Sequence, residues 1–206
     1  LVEFATPFNE LFREPFLPLL PGVQFVEFGD AEAVEDELYK ADATGKGVAA
    51  VIMEPIQGEA GAIVPPDDFW PPIRKACHEY GPLLIADEVQ TGMGRTGTLF
   101  AYEQLGVQPD IMTLAKGLGG GVPIGACLAI DSVAKTFSPG SHASTFGGNP
   151  LACAAGLAVC RALMDARVLE HARKTGEYFA KKLSDCKARH RVVREVRGLG
   201  LLQGIE

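Results

Sequence analysis

Four apolar runs of strand length constrain the fold of this chain more than any other feature. They are residues 48–53, 83–86, 111–114 and 126–130. Apolar residues fill these runs with little alternation, as in strands that are buried on both faces. Strands of this kind, separated by helices, form a mainly parallel sheet that helices cover. We therefore predict an α/β fold.

Helical patterns occupy most of the sequence between these runs. They predict helices over residues 31–43, 70–80, 99–105, 149–164 and 168–187. Asp30 is a suitable N-cap for the first of these helices. Gly81, followed by a proline, is a suitable C-terminal stop for the second.

Four segments are expected along the chain. Prolines at positions 7, 15, 18 and 21 predict an irregular N-terminal segment over residues 1–22. The predicted sheet domain covers residues 23–165 and begins with a short strand at 23–28. A connecting helix would cover residues 166–191. Residues 192–206 are predicted as a strand, turn and strand that begin a smaller, incomplete domain.

Composition and charge exclude several classes of protein. The 206 residues carry a formal net charge of −7, which argues against nucleic acids and anionic membranes as partners. No apolar run approaches the roughly 18 residues that span a bilayer, and residues 1–12 do not resemble a signal peptide. Five cysteines without a C-x-x-C pair favour buried thiols in a reducing compartment, so we expect a cytoplasmic protein.

Polar side chains follow three of the apolar runs. Glu54 and Glu59 come after the first, Asp87 and Glu88 after the second, and Lys116 after the third. In an open α/β sheet, ligands bind beyond the carboxyl ends of the strands. If these strands are neighbours, the polar groups lie within reach of one ligand.

Lys116 stands between an apolar run and the glycine-rich segment 117–121. Desolvation lowers the pKa of a lysine amine, and a Schiff base with an aldehyde removes its charge. The glycines leave room for a planar ring. A solvated loop lysine is the commoner situation for this residue type, but the apolar and glycine-rich flanks disfavour it here.

Asp87 suits the nitrogen of a pyridine ring, because a buried carboxylate keeps that nitrogen protonated. Together, a lysine amine and this carboxylate are what pyridoxal 5'-phosphate (PLP) requires. The alternative is that Asp87 caps a helix. The glycine-rich segment 88–97 disfavours that alternative, because it is a poor helix start.

Residues 144–150 combine hydroxyl groups, glycines and the start of a predicted helix. Hydroxyls and free backbone N–H groups at a helix N-terminus form an anion site, and a phosphate fits it. Asn149 is also a suitable N-cap with Pro150 in the first turn, and this second interpretation is compatible with the first.

Other chemistries lack their motifs. The four histidines are scattered without metal-ligand spacing, so no metal site is predicted. The G-x-S-x-G elbow of serine hydrolases is absent. The glycine-rich segment 117–121 matches neither a phosphate-binding P-loop nor the dinucleotide fingerprint.

Several motifs, in order over roughly residues 13–206, resemble the class III, or ω-amino, aminotransferases. They are 53–59 (MEPIQGE), 87–97 (DEVQTGMGRTG), 109–111 (PDI), 115–116 (AK) and 145–150 (TFGGNP). The resemblance implies the aspartate-aminotransferase-like fold, fold type I, with PLP as cofactor bound in the large domain.

The resemblance also implies a role for each matching residue. Lys116 would bind PLP covalently and then move protons. Asp87 would pair with the ring nitrogen, and Gln90 would approach the ring's phenolic oxygen. Thr145 would bind the cofactor phosphate of the neighbouring subunit, so a homodimer with a shared active site is expected. Glu59 would help to gate the arginine that binds substrate carboxylates.

The implied reaction is transfer of a terminal amino group to 2-oxoglutarate, which yields an aldehyde and glutamate. Segments 12–22, 90–97 and 149–155 resemble putrescine and ornithine-type members, and segment 196–202 resembles acetylornithine aminotransferases. Putrescine, ornithine and N-acetylornithine therefore remain alternative donors. An aminomutase acting on glutamate semialdehyde is another possibility, and a catalytically incomplete fragment that only dimerises is a third.

Glu54 and Arg95 also match family positions, and we expect structural roles for both. Family members are about twice as long as these 206 residues. The resemblance implies that a Ser-Gly phosphate loop, an aromatic that stacks on the ring, and the carboxylate-binding arginine lie outside this sequence. We expect the 206 residues alone to bind the cofactor weakly and to turn over little.

Overall fold

A six-stranded sheet is the centre of the fold. The computed structural model describes residues 2–5, 13–19 and 21–206. The strands are β1 (Val2–Ala5), β2 (Gln24–Glu27), β3 (Ala50–Met53), β4 (Leu83–Asp87), β5 (Ile111–Leu114) and β6 (Ala126–Ala129). Their order is β2-β1-β3-β4-β5-β6, and every neighbouring pair is parallel except β5 with β6. The predicted mainly parallel sheet is confirmed.

Five helices accompany the sheet in the described residues. They are α1 (Ala31–Ala43), α2 (Trp70–Tyr80), α3 (Asp131–Ala134), α4 (Pro150–Leu163) and α5 (Ala166–Arg189). Three 3-10 helices lie at Glu14–Phe16, Ala101–Gln104 and Lys116–Gly119. Strands β7 (Val196–Leu199) and β8 (Leu202–Ile205) form a separate antiparallel hairpin. This hairpin is the strand, turn and strand predicted for residues 192–206.

The prediction that residues 1–22 are irregular is wrong for residues 2–5. Strand β1 lies inside the sheet, in parallel register with β2 and β3. The prolines that predicted irregularity begin only at position 7, so they do not disturb this strand. The 3-10 helix Glu14–Phe16 is the other regular element of the segment as described. Residues 6–12 and 20 lie outside the described residues.

The predicted helix ends follow from local hydrogen bonding. The Asp30 carboxylate accepts a hydrogen bond from the Ala33 N–H at 2.9 Å, which satisfies one of the free donors in the first turn of α1. Gly81 ends α2 with a left-handed backbone at φ 88°, a conformation that favours glycine. The helix predicted over residues 99–105 is shorter, a 3-10 helix at Ala101–Gln104.

The densest core lies where α1 and α2 meet the sheet. Val51 of β3 and Leu84 of β4 are completely buried, and Phe69 and Trp70 at the start of α2 are nearly so. Burial of one large apolar side chain contributes roughly 1.5–3 kcal/mol. This core fixes the carboxyl ends of β3 and β4, where the polar residues begin.

The cysteines are less uniform than the sequence predicted. Cys77 of α2 is buried, but Cys127 of β6 and Cys153 of α4 are exposed. The expectation of buried thiols is therefore wrong for these two, because β6 is a sheet edge and most of α4 lies at the surface. In the described part of the chain, no helix combines the length and apolar character that crossing a membrane requires.

Candidate functional site

Three polar residues lie together at the carboxyl ends of β3, β4 and β5. Met53 pairs with Ala86 and Asp87 pairs with Thr113, so Glu54 directly follows the paired part of β3 beside Asp87. The charges of Asp87 and Lys116 both act on Glu54, which places the three groups within electrostatic range. The predicted meeting of these strand ends is therefore present in the fold.

Lys116 begins the 3-10 helix that follows β5. Its neighbours Leu114 and Leu118 are buried, whereas Lys116 itself is exposed. It lines a cavity of about 250 Å³, together with Gln90, Arg95 and other residues (Val89, Gly92, Met93, Gly117, Leu201 and Leu202). The apolar flanks thus pack into the core without covering the lysine, so Lys116 faces a space that a ligand can enter.

The backbone at this cavity is strained. Lys116 has φ 45° and Met93 has φ 57°, and both values lie in the left-handed region that favours glycine. The two segments touch, because a Cβ atom on Gly117 would lie 3.3 Å from the Met93 Cβ. Left-handed non-glycine residues persist where packing enforces them, and they are enriched at functional sites.

The Asp87 carboxylate is held through one of its two oxygens. Oδ1 accepts hydrogen bonds from the Val89 N–H and from the Thr113 hydroxyl, both at 3.0 Å. Among the described residues, no donor contacts Oδ2. Residues 89–98 form turns and bends, so Asp87 does not cap a helix. Asp87 therefore keeps one oxygen available for a ligand N–H.

Gln90 lines the Lys116 cavity and packs against the turn after β3. A Cβ atom on Gly58 would lie 2.5 Å from the Gln90 amide, so position 58 has no room for a side chain. The Gly58 N–H donates to Glu54 Oε2 at 2.9 Å. Gln90, Gly58 and Glu54 therefore form a continuous contact on one side of the site.

Glu54 lies beside Asp87, as the sequence predicted for the polar groups that follow these strands. Burial raises the pKa of its carboxyl group above the ordinary value of 4.5, and the Asp87 charge raises it further, while the Gly58 N–H opposes both effects. The expectation of a structural role came from its motif alone. The register of β3 against β4 is the feature that brings it beside Asp87.

Neither Glu59 nor Thr145 is among the residues that line the cavity. Glu59 is exposed, in the turn after β3, and its charge acts on Glu54. Thr145 lies in an exposed loop before α4. Asn149 caps α4 by accepting from the Ala152 N–H at 2.9 Å, as the sequence predicted. Lys116 and Gln90 therefore line one cavity beside the segment that follows Asp87, whereas Thr145 does not line it.

Glu88 has a different role from its neighbour Asp87. It is buried, and its carboxylate accepts hydrogen bonds from the Thr91 hydroxyl at 2.5 Å, the Ala101 N–H at 3.0 Å and the Tyr102 N–H at 2.8 Å. Burial raises its pKa in spite of these donors. Glu88 therefore anchors the segment after β4 from inside the protein. The alternation of side chains along a strand could have separated the two acids.

The β7–β8 hairpin packs beside the site. The Leu201 N–H donates to the Arg95 carbonyl at 2.9 Å, and Arg197 Nε donates to the Gly61 carbonyl at 2.6 Å. Gly200 packs so closely on Thr96 that a Cβ atom would lie 2.6 Å from it. Arg95 therefore holds the hairpin through its backbone, while its exposed side chain reaches the cavity.

Comparison with known proteins identifies the family. The sequence profile described as "Aminotransferase class-III" matches residues 5–206, which extends the resemblance to before residue 13. The chain belongs to the class-III aminotransferases. The fold agrees, since ornithine δ-aminotransferase from Plasmodium falciparum, 42% identical, covers 100% of this chain with a TM-score of 0.86 and is itself covered to 50%. The predicted fold type I is confirmed.

Two curated relatives show which members of the class-III aminotransferases are similar. Putrescine aminotransferase of Pectobacterium atrosepticum is 52% identical over 95% of this chain and 42% of its own length. Acetylornithine aminotransferase of Methanopyrus kandleri is 51% identical over 95% of this chain and 48% of its own length. The chain thus spans a little under half of the curated relatives it matches.

PLP is the cofactor of the class-III aminotransferases. A solved structure of the ornithine aminotransferase from Toxoplasma gondii, 35% identical to this chain, has PLP at partial occupancy in its active site. The residues of this chain fit the group. Lys116 offers an amine in an open cavity, and Asp87 offers a carboxylate oxygen that no described donor uses.

Proposed function

We propose that the protein carrying this sequence is a PLP-dependent transaminase that moves the terminal amino group of a diamine or ornithine-type donor to 2-oxoglutarate. The products are an aldehyde and glutamate. The observation that carries this proposal is the cluster of Lys116, Asp87 and Gln90 at the carboxyl ends of β4 and β5. The similarity to putrescine and acetylornithine aminotransferases supports the donor class.

Each residue of the cluster has a defined task in this proposal. Bound PLP supplies an electron sink conjugated to the reacting carbon. Lys116 would hold the cofactor covalently, and its amine would accept the proton that leaves the substrate carbon. Asp87 keeps the ring nitrogen protonated through its free oxygen. Gln90 donates its amide to the phenolic oxygen.

The substrate and phosphate ends of the site complete the proposal. Glu59, exposed in the turn after β3, forms the reversible partner of an arginine that binds substrate carboxylates. Thr145 acts in a second subunit, because in its own chain it lies in an exposed loop away from the Lys116 cavity. Phe146 beside it is 81% exposed, and Leu151 of α4 is 74% exposed. Exposed apolar surface of this kind is typical of an interface, which favours a homodimer with shared sites.

A donor screen tests the reaction. The complete protein, supplied with PLP and 2-oxoglutarate, is incubated with putrescine, ornithine, N-acetylornithine or 4-aminobutyrate, and glutamate is measured. We expect glutamate with at least one of the first three donors at a higher kcat/KM than with 4-aminobutyrate. No glutamate with any donor contradicts the proposal. Turnover of glutamate semialdehyde without a keto acid would indicate the aminomutase.

Borohydride trapping tests the assignment of Lys116. Reduction should fix PLP to the peptide that contains Lys116, as seen by mass spectrometry. Lys116→Ala should abolish this adduct and lower kcat by roughly 10²–10⁴-fold, the size of a lost general acid–base group. Lys135→Ala removes an exposed lysine elsewhere and should leave both unchanged. An adduct that persists in Lys116→Ala would move the cofactor lysine to another position.

A further inference from the structure

We infer that Thr113 is a positioning residue that holds the Asp87 carboxylate for its task at the cofactor ring. This inference rests on the proposed function, because it concerns the residue that pairs with the ring nitrogen. Thr113 lies on β5, three residues before Lys116, and its side chain contacts Asp87 rather than the cavity.

The sheet register produces the contact between these two residues. Asp87 and Thr113 are direct partners across the parallel pair β4 and β5. Lateral neighbours in a sheet project their side chains to the same face, about 4.8 Å apart. The Glu88 N–H donates to the Thr113 carbonyl at 3.0 Å, so a main-chain hydrogen bond also holds the two strands together beside Asp87 and Thr113. The Thr113 hydroxyl then reaches Asp87 Oδ1 at 3.0 Å.

Both donors to Asp87 act on the same oxygen. The Val89 N–H and the Thr113 O–H meet at Oδ1 from two sides, the first from the segment after β4 and the second from β5. A carboxylate held by one donor can still rotate, whereas two donors from separate segments restrict its plane. No described donor contacts the other oxygen, Oδ2, so it remains available.

The position of the Asp87 carboxylate matters for its proposed partner, the ring nitrogen. An ionised carboxylate is what keeps a ring nitrogen protonated, and a protonated ring is the better electron sink. The Val89 N–H belongs to the backbone and is present with any side chain at position 89. The Thr113 hydroxyl is therefore the part of this arrangement that the side-chain sequence controls.

A threonine in a strand also has a simpler explanation, because β-branched residues pack well on a pleated sheet. Thr113→Val separates the two explanations, since valine keeps the shape and the β-branch but removes the donor. Thr113→Ser keeps the donor and removes a methyl group. Thr98→Val is a matched control, because it deletes a half-buried hydroxyl that donates to the Phe100 carbonyl away from the cavity.

The experiment measures PLP binding to the purified protein and the pH dependence of the bound cofactor's absorbance. We expect Thr113→Val to bind PLP about tenfold more weakly, the size of one hydrogen bond to a charged group. The pH at which the absorbance of the bound cofactor has changed half-way should rise. A ring nitrogen that is less firmly protonated carries less positive charge, and it therefore repels the proton on the Lys116 nitrogen less. Thr113→Ser should stay within about twofold of the unmodified protein, as should Thr98→Val.

Each other outcome has a defined meaning. If the unmodified protein forms the borohydride-trapped adduct on Lys116 but Thr113→Val matches its affinity and pH profile, the inference is wrong while the proposed function stands. If Thr113→Ser is as impaired as Thr113→Val, the methyl group matters rather than the donor, and the inference is also wrong. If the unmodified protein forms no adduct, the proposed function itself has failed.

Discussion

Two regions on either side of the Lys116 site differ in how completely they are packed. The packed side consists of β3, β4, α1 and α2, where Leu84 and Ile73 are completely buried. The open side consists of β6, α4 and the loop between them, where Leu128, Phe146 and Leu151 are exposed. Both sides contain apolar runs in the sequence, so composition alone does not decide which residues become buried.

The difference shows what each side contributes to the site. The packed side fixes Glu54 and Asp87 through sheet register and a continuous core. The open side carries Thr145 on an exposed loop and has exposed apolar side chains of the kind that is typical of interfaces. Lys116 lies between the two, with buried neighbours and an exposed side chain. The proposed shared site therefore combines a rigid half with a half that a second subunit completes.

Thiol labelling should show the largest contrast between the two sides. Burial, opposed by the Arg74 charge and aided by the Asp110 charge, raises the pKa of Cys77 to about 11. At pH 8 only about one Cys77 in a thousand would be a thiolate, the reactive form, and its labelling should accelerate as the pH rises. Cys127 and Cys153 are exposed and should react quickly with iodoacetamide, as followed by mass spectrometry.

Equal labelling rates for Cys77 and Cys153 would contradict the contrast between the sides. If Cys153 is protected from labelling and this protection disappears when the protein is diluted into monomers, a second subunit covers Cys153. That result would identify the part of the open side that lies in the interface.

Core truncation should show the next largest contrast. Leu84→Ala removes a completely buried side chain and should lower the free energy of unfolding by about 2–5 kcal/mol. Leu151→Ala makes the same change at a side chain that is 74% exposed and should cost at most about 0.5 kcal/mol. Urea unfolding measures both values. A cost for Leu151→Ala as large as that for Leu84→Ala would mean that the open side is covered in solution.

The carboxyl groups of buried Glu88 and half-buried Glu54 give the smallest contrast in stability. Glu88→Gln replaces one of the two acceptor oxygens with an NH2 group, which then faces at least one of the three donors and should cost about 1–3 kcal/mol at neutral pH. Glu54→Gln can still accept from the Gly58 N–H, so its effect should stay within about 0.5 kcal/mol.

The pH dependence of the free energy of unfolding in Glu54→Gln tests the direction of the Glu54 pKa shift. Burial raises the pKa of Glu54 from 4.5, so its ionisation costs folding free energy. Its contribution to stability is complete below pH 4.5 and is lost as the pH rises through the raised pKa. Glu54→Gln should flatten this decline in urea unfolding at several pH values. An unchanged slope would show that Glu54 does not titrate in this way.

Much of the fold was predictable from local patterns. The apolar runs located β3 to β6, because apolar runs of this length are typical of strands. The expectation that such runs are buried on both faces is wrong for β6, which lies mostly exposed at the sheet edge. Asp30, Gly81 and Asn149 marked helix ends because capping depends on a few neighbouring atoms. Strand β1 was missed, since four residues before a proline-rich segment carry too little local signal.

The sequence singled out candidate site residues but could not give their arrangement. Lys116 and Asp87 stood out because their flanks were unusual for charged residues. Glu88 could not be separated from Asp87 by chemistry, since both are acids at the end of one strand. The roles of Thr113 and Glu54 depend on contacts between strands that lie 26 or more residues apart in sequence.

By itself, the sequence determined the α/β class, the residues with special chemistry and the class-III aminotransferase family. Those properties depend on residue type and short spacing, which a single chain carries along its length. Only the tertiary structure decided that Asp87 uses one oxygen for Thr113 and Val89, that Lys116 stays exposed, and that Thr145 does not line the Lys116 cavity. Register and packing join distant segments, and their outcome depends on the whole chain at once.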